Sequence, residues 1–186
     1  MVIRALVYAH DEDEALDKAK AIFDDLYADG HLFDYYRTFD MDGRGIAGRD
    51  RWGELPVVVR ADSPEGQRLI QEGMEFTRRE LFENLDRVRR GLAVLTNDDI
   101  WNDVDKREED RADFELCADM LRHFMYEVGQ YVGYTIWLYD NDGTGIRTPG
   151  QLQDVLTKYR CLYEDVGRPN PYADMDIFIV PADVHH

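Results

Sequence analysis

The sequence predicts an α/β protein of the α+β type: a single domain over 1–186, with a mixed or mainly antiparallel sheet of about five strands packed against three to four helices. Three observations predict it. A length of 186 residues suits one domain with a real core. Short runs rich in Val, Ile, Tyr and Phe alternate with longer segments of helical spacing, in the order β-α-β-β-α-α-β-α-β. No Pro-, Gly- or Ser-rich linker divides the chain into independent parts.

Residues 2–9 read as a strand. Asp11, with Glu14 three residues on, resembles a capping box, and Ala15, Ala19, Ile22 and Leu26 then follow at helical spacing until Asp29-Gly30. A second strand covers 33–39. A loop over 40–54 carries four glycines, and Leu55 to Arg60 is a third strand entered through Pro56. Ser63-Pro64-Glu65 starts a long helix with a capping serine and a proline at its first position. Its inward face reads Ile70, Met74, Leu81, Leu85, Val88 and Leu92, and it ends near Gly91.

Residues 93–109 form an acidic connection, expected to be the most mobile part, with a short helix around Ile100-Trp101. A third helix covers about 110–128, with Phe114, Cys117, Leu121, Phe124 and Val128 inward. Residues 133–139 make a fourth strand. Thr148-Pro149 starts another helix, with Leu152, Val155, Leu156 and Tyr159 inward. A loop at 165–174 leads to a last strand, Asp176 to Val180.

Charge is the most informative part of the composition. Lys plus Arg number 22 and Asp plus Glu 39, a net charge of −17. The acids are 26 Asp and 13 Glu, and the bases 18 Arg against four Lys. Such a surface repels itself in dilute buffer. At molar salt the Debye length falls to about 3 Å and the repulsion is screened. Short, hydrated Asp keeps the surface wet, and Arg grips carboxylates with two bonds where Lys would bring a long apolar stem. The expectation is a salt-adapted protein of a high-salt cytosol. Its charge disfavours nucleic acid as a partner.

The apolar start, Met1 to Ala9, is followed at once by Asp11-Glu12-Asp13-Glu14, which is not a signal-peptide pattern. No apolar run approaches the ~18 residues of a membrane span. Cys117 and Cys161 form no C-x-x-C pair, so no zinc or redox motif is expected.

One element occurs twice. Phe39-Asp40-Met41-Asp42-Gly43-Arg44-Gly45-Ile46 matches Tyr139-Asp140-Asn141-Asp142-Gly143-Thr144-Gly145-Ile146. As cation loops, Asp40, Asp42, Asp140 and Asp142 would offer oxygens to Ca²⁺ or Mg²⁺, or hold monovalent cations loosely. Positions 5 and 12 are Arg44 and Arg51 in one copy and Thr144 and Gln151 in the other, so the closing ligand of an EF-hand is missing. The competing reading is turn chemistry, because Asp-Gly after a strand favours a tight turn.

Arg44, Arg49 and Arg51, beside Trp52, crowd the first glycine-rich loop and form a candidate partner-binding segment. Arg78, Arg79, Arg87, Arg89 and Arg90 lie on the long helix. There, Glu75 to Arg79 and Asp86 to Arg90 have the spacing of intrahelical pairs. Asp119, His123 and Glu127 make an i, i+4, i+8 stripe whose simpler reading is a solvated face. His10 and His31 have no evident partners. No nucleophile elbow, metalloprotease helix, P-loop or dinucleotide fingerprint occurs. The numerous aromatics, among them Tyr35 and Trp101, read first as core and second as a pocket or partner surface.

Several strings resemble an uncharacterised family of haloarchaeal proteins with chromosomal and viral or proviral members. They are Gly48 to Pro56, Val128-Gly129-Gln130-Tyr131, Tyr139 to Arg147, Lys158 to Asp165, and Pro181 to Val184. The resemblance implies one compact domain and the high-salt habitat, possible association with a virus, and no particular activity. Two expectations follow. The first is a non-enzymatic interaction protein with an unknown protein partner and an open oligomeric state. The second is a divalent-metal phosphoester hydrolase, in which the D-x-D-G aspartates hold the ion and Arg44 or Arg147 stabilises phosphate charge.

Overall fold

The computed structural model describes residues 1–28, 33–40, 52–104, 117–130, 135–161 and 171–185. The described elements are β1 (Val2–Ala9), α1 (Glu12–Ala28), β2 (Tyr35–Thr38), β3 (Val59–Arg60), α2 (Pro64–Val94), α3 (Asn97–Trp101), α4 (Ala118–Gly129), β4 (Leu138–Tyr139), α5 (Pro149–Cys161) and β5 (Asp176–His185). The α+β class is as expected. The chain divides into two compact units: Met1–Met74 with Ile136–His186, and Glu75–Thr135. No helix of the described residues is long and apolar enough to cross a membrane.

The first unit holds the sheet, in the order β2-β5-β1-β4, with β3 also paired to β5. β1 is parallel to β4, while β5 is antiparallel to β1, β2 and β3. The sheet is therefore mixed, and β5 alone among the described strands runs against the rest. β1 takes one edge of β5 from Asp176 to Asp183. The other edge is left to β2, at Ala182 to His185, and to β3, at Phe178 and Ile179.

The two faces of the sheet follow from alternation along β1. Ile3, Ala5, Val7 and Ala9 pack with Ala15, Ala19, Ile22 and Phe23 of α1. Leu6 points the other way, into a cluster with Leu69 and Ile70 of α2 and Val155 of α5. All eight residues of β1 are buried, as a strand covered by helices on both faces requires.

Two helix starts work as their residues imply. Asp11 Oδ1 accepts the Glu14 N–H at 2.8 Å. Glu14 reaches back one residue further than in a capping box, accepting the His10 N–H at 2.8 Å, and it pairs with Lys18 at 2.7 Å. Bonds from Lys18 and His10 hold the Glu14 carboxyl down at about 2. At α2, Ser63 Oγ accepts the Gly66 N–H at 3.0 Å, and Pro64 opens the helix.

Several expectations change. The third strand is only Val59–Arg60, not 55–60, and the last strand runs on to His185 instead of ending at Val180. Of the expected fourth strand, Leu138–Tyr139 is strand, 135–137 is not, and 133–134 lies outside the described residues. The third helix begins at Ala118, with Cys117 as its cap; Phe114 and the rest of 110–116 lie outside the described residues. Residues 93–104 of the acidic connection hold the end of α2 and the capped α3, while 105–109 lie outside the described residues. Asp29-Gly30, His31, the side chain of Tyr159 and residues 165–170 also lie outside them.

The largest correction concerns α2. It does not end near Gly91 but continues to Val94, and Leu92 is exposed. Its buried positions are Gly66, Leu69, Ile70 and Gly73 in the first unit, and Thr77, Asn84 and Gly91 in the second. Glycine serves here for close approach. A Cβ on Gly73 would stand 2.8 Å from the Leu138 side chain, and one on Gly91 2.8 Å from that of Leu121. A Cβ on Gly66 would stand 2.0 Å from the carbonyl oxygen of Arg60, which is backbone.

That difference is testable. Gly66→Ala forces the start of α2 away from β3 and is expected to destabilise by about 1–3 kcal/mol or more, since backbone cannot rotate aside. At Gly91 the neighbour is the end of a leucine side chain, and alanine brings a helix-propensity gain of about 1 kcal/mol. Gly91→Ala should therefore lie within about 1 kcal/mol of the parent. Urea unfolding of both variants at fixed molar KCl checks this; equal losses would contradict the packing described.

Candidate functional site

Because β1, β2 and β4 run the same way, their C-terminal ends emerge at one end of the sheet, where sheets covered by helices commonly bind ligands. The two D-x-D-G elements leave from there. Thr38 is level with Ala182 and hence with Ile3, and Tyr139 is level with Ala5. Asp40 and Asp140 thus emerge at similar height, but from the two outer strands. With β5 and β1 between them, the separation is three strand spacings, about 14 Å.

Each aspartate is held locally. Asp40 accepts bonds from Thr38 Oγ1 at 2.5 Å and from Lys20 Nζ at 2.6 Å. Burial pushes its pKa up, but these bonds outweigh burial and leave it below the usual carboxylate value. Asp140 Oδ1 accepts the N–H groups of Asp142 at 3.0 Å and Thr144 at 2.8 Å. The main chain closes beneath it, from Asp140 N to Thr144 O at 2.9 Å and from Gly143 N to Asp140 O at 3.0 Å. Gly143 has φ 75°, which the turn requires and a side chain would resist. Burial raises the Asp140 pKa against the backbone bonds that lower it.

The second element is therefore a tight turn built by its aspartate and glycine. Asn141 has a role that sequence reading missed: its Oδ1 accepts the Tyr8 N–H at 3.0 Å, continuing the β1 ladder beyond the end of β4. Of the first element only Phe39 and Asp40 can be placed. Asp42, Arg44, Arg49 and Arg51 lie outside the described residues. Among the described residues no cluster of three or more His, Cys, Asp or Glu is arranged to hold a metal ion.

Over residues 1–186 the chain matches the family described as a domain of unknown function, DUF7995. It belongs to the DUF7995 family. No curated protein and no solved structure matches it.

The arginines on α2 of this DUF7995 chain are used within the helix and its neighbours. Glu75 and Asp86 pair with Arg78 at 3.1 Å and Arg89 at 2.6 Å, three residues on, where the sequence spacing suggested four. Arg79 stacks over Phe76 at 5.0 Å, and Arg87 over Phe124 at 5.0 Å. The stripe on α4 is mostly solvated: Asp119 and His123 are exposed, and Asp119 lies 3.9 Å from Arg122.

Two surfaces stand out instead. In the second unit, Trp101 on α3 is 86% exposed, and Tyr126 and Met125 on α4 are 64% and 47% exposed. Arg122, one turn before those two, donates to Ile100 O at 2.8 Å and pairs with Asp103, which ties α4 to the end of α3. In the first unit, a cleft of ≈ 440 Å³ between α1 and β2 is lined by Lys20, Asp24, Tyr27, Tyr35, Tyr36, Arg37 and Thr38. Trp52, from the sequence-predicted binding segment, is exposed.

If Asp140 acts as an acceptor that shapes the turn, its charge is dispensable. Asp140→Ala deletes two hydrogen bonds and is expected to cost about 1–3 kcal/mol, whereas Asp140→Asn keeps an acceptor and should cost less than half of that. Thermal unfolding of the two variants decides the matter; an Asn variant as unstable as the Ala variant would show that the carboxylate charge is needed.

Proposed function

We propose that this DUF7995 protein is a non-enzymatic interaction protein adapted to molar salt, which takes a protein partner on the aromatic face of its second unit. The observation that carries this reading is the exposure of Trp101 (86%), Tyr126 and Met125 on two helices tied together through Arg122, on a chain of net charge −17. Leaving an indole in water forfeits about 2–3 kcal/mol of burial. Trp, Tyr and Arg are also the residues that dominate binding energy at protein interfaces. Arg122 and Asp103 supply the polar rim such a patch needs. The segment carrying Arg44, Arg49, Arg51 and Trp52 is a second contact in this reading, supported by the exposure of Trp52. An accessory role in a virus or integrated element of a salt-loving archaeon is supported by the resemblance of the sequence alone. The phosphoester hydrolase gains no support from Asp40 or Asp140, whose acceptor oxygens are engaged by Lys20, Thr38 and the turn backbone.

Screening makes the salt adaptation measurable. The unfolding midpoint should climb by roughly 10 °C or more between 0.2 M and 3 M KCl, as the Debye length drops from about 7 to 2 Å. A midpoint that is flat, or highest at low salt, overturns the adaptation.

The interaction face has its own test. A tagged chain incubated with source-cell extract at 3 M KCl should retain a discrete partner. Trp101→Ala combined with Tyr126→Ala should lose it by at least tenfold, with the unfolding midpoint unchanged. Retention of the same proteins by parent and variant removes the face from consideration.

A further inference from the structure

In the second unit, Thr77, Asn84 and Gly91 are the buried positions of α2, and their spacing of seven fixes the inner line of the helix. At about 100° per residue, the opposite line runs through Glu75, Arg78, Phe82, Asp86 and Arg89. All five are exposed, and Phe82 is 46% open to solvent. The Arg78 guanidinium stands over the Phe82 ring at 4.4 Å. Glu75 pairs with Arg78 at 3.1 Å, and Asp86 with Arg89 at 2.6 Å. Leu85 borders the line and is half-buried.

The charges on this line are ordered about Phe82. Seven residues before it stands an acid, Glu75, and seven after it a base, Arg89. Four before it stands a base, Arg78, and four after it an acid, Asp86. Laid antiparallel on a second copy, with Phe82 at the crossing, the line meets opposite charge at every rung. Glu75 then faces the partner's Arg89, Arg78 faces the partner's Asp86, and the two Phe82 rings meet. Laid parallel and in register, each charge would meet its like. A twofold contact needs a surface complementary to itself, in which one residue meets a second and the second meets the first.

We propose that the outer face of α2 joins two copies of this chain, crossing antiparallel at Phe82. The paired rings supply apolar contact, and each carries its own Arg78 cation over one face. A forked guanidinium can keep Glu75 and also take the partner's Asp86. Molar salt screens the long-range repulsion between two chains of −17, while pairs closed in the contact are screened much less. The line spans about 21 Å of helix. One helix pair of that length is at the small end of specific interfaces, so the dimer is weak, with a dissociation constant on the order of 10–100 µM. All five residues belong to the second unit and to α2, whereas Trp101, Tyr126 and Met125 sit on α3 and α4. Either contact can therefore fail without the other.

The test is the association state of the whole chain in molar KCl, measured by sedimentation equilibrium up to about 500 µM. A monomer–dimer equilibrium is expected. Phe82→Asp, at an exposed position, should weaken association by about tenfold or more with the circular dichroism unchanged. Glu75→Arg sets a second cation against the partner's Arg89 and should also weaken it by about tenfold. Adding Arg89→Glu to that same chain restores opposite charge at both symmetry-related rungs, and association should return to within about threefold of the parent. A merely local role of either residue would leave the double variant worse than the single one. A chain that stays monomeric throughout, a dimer that Phe82→Asp leaves intact, or a double variant no better than Glu75→Arg overturns the proposal.

Discussion

Strand β5 is hydrogen-bonded along one edge to β1, from Asp176 to Asp183, while its other edge holds two separate strands, β2 and β3. The main-chain groups of its odd-numbered residues face that second edge. Ile177 O takes the Ala61 N–H at 2.8 Å, and His185 O takes that of Asp34 at 2.7 Å. Pro181 falls in the same series and has no N–H to offer. It lies between the rungs where β2 ends, at Ala182, and β3 begins, at Ile179. Among the described strands neither β2 nor β3 pairs at this rung, where pairing is worth least. Pro181 thus falls at the gap between β2 and β3 on this edge.

Much of this frame was legible because it rests on local chemistry. Val2 to Ala9 reads as a strand, and it is one, buried on both faces. Asp11 and Ser63 cap helices as their type and spacing imply. The inner face of α2 was read in part: Ile70 is buried and Met74 and Val88 pack against the cores, but Leu92 is exposed, for a physical reason. Hydrophobic periodicity finds a buried face only where large apolar residues carry it, and here glycine, threonine and asparagine occupy many of the buried turns. Close approach, not apolar area, holds that part of the helix to its neighbours, and glycine leaves no apolar signal. The short strands were misjudged for another reason. Val59–Arg60 and Leu138–Tyr139 are strands because β5 and β1 offer edges to them, which is tertiary information.

The candidate sites show the same division. Asp-Gly after a strand could be read as a turn, and around Asp140 it is one, bond by bond. Trp101 could not be singled out. A tryptophan in an acidic, irregular stretch looks like an anchor for the core, and its exposure is set by how α3 lies on α4.

The ion pairs also explain why arginine, and not lysine, balances so many carboxylates. Arg60 bonds both Asp62 and Asp176, joining β3 to the start of β5. Arg68 bonds both Glu65 and Glu72, three residues behind it and four ahead on α2. A forked guanidinium can hold two acids at once, so one positive charge organises two negative ones. The Arg60 group is left at −1, while the Arg68 group shares Glu72 with Arg4 and is balanced. With 22 basic residues against 39 acidic ones, pairing cannot bring the surface to neutrality, and the remaining repulsion is the part that dissolved salt would screen. Ion pairs fix local geometry in this protein, and in the proposed salt-adapted reading dissolved salt supplies the overall electrostatic balance.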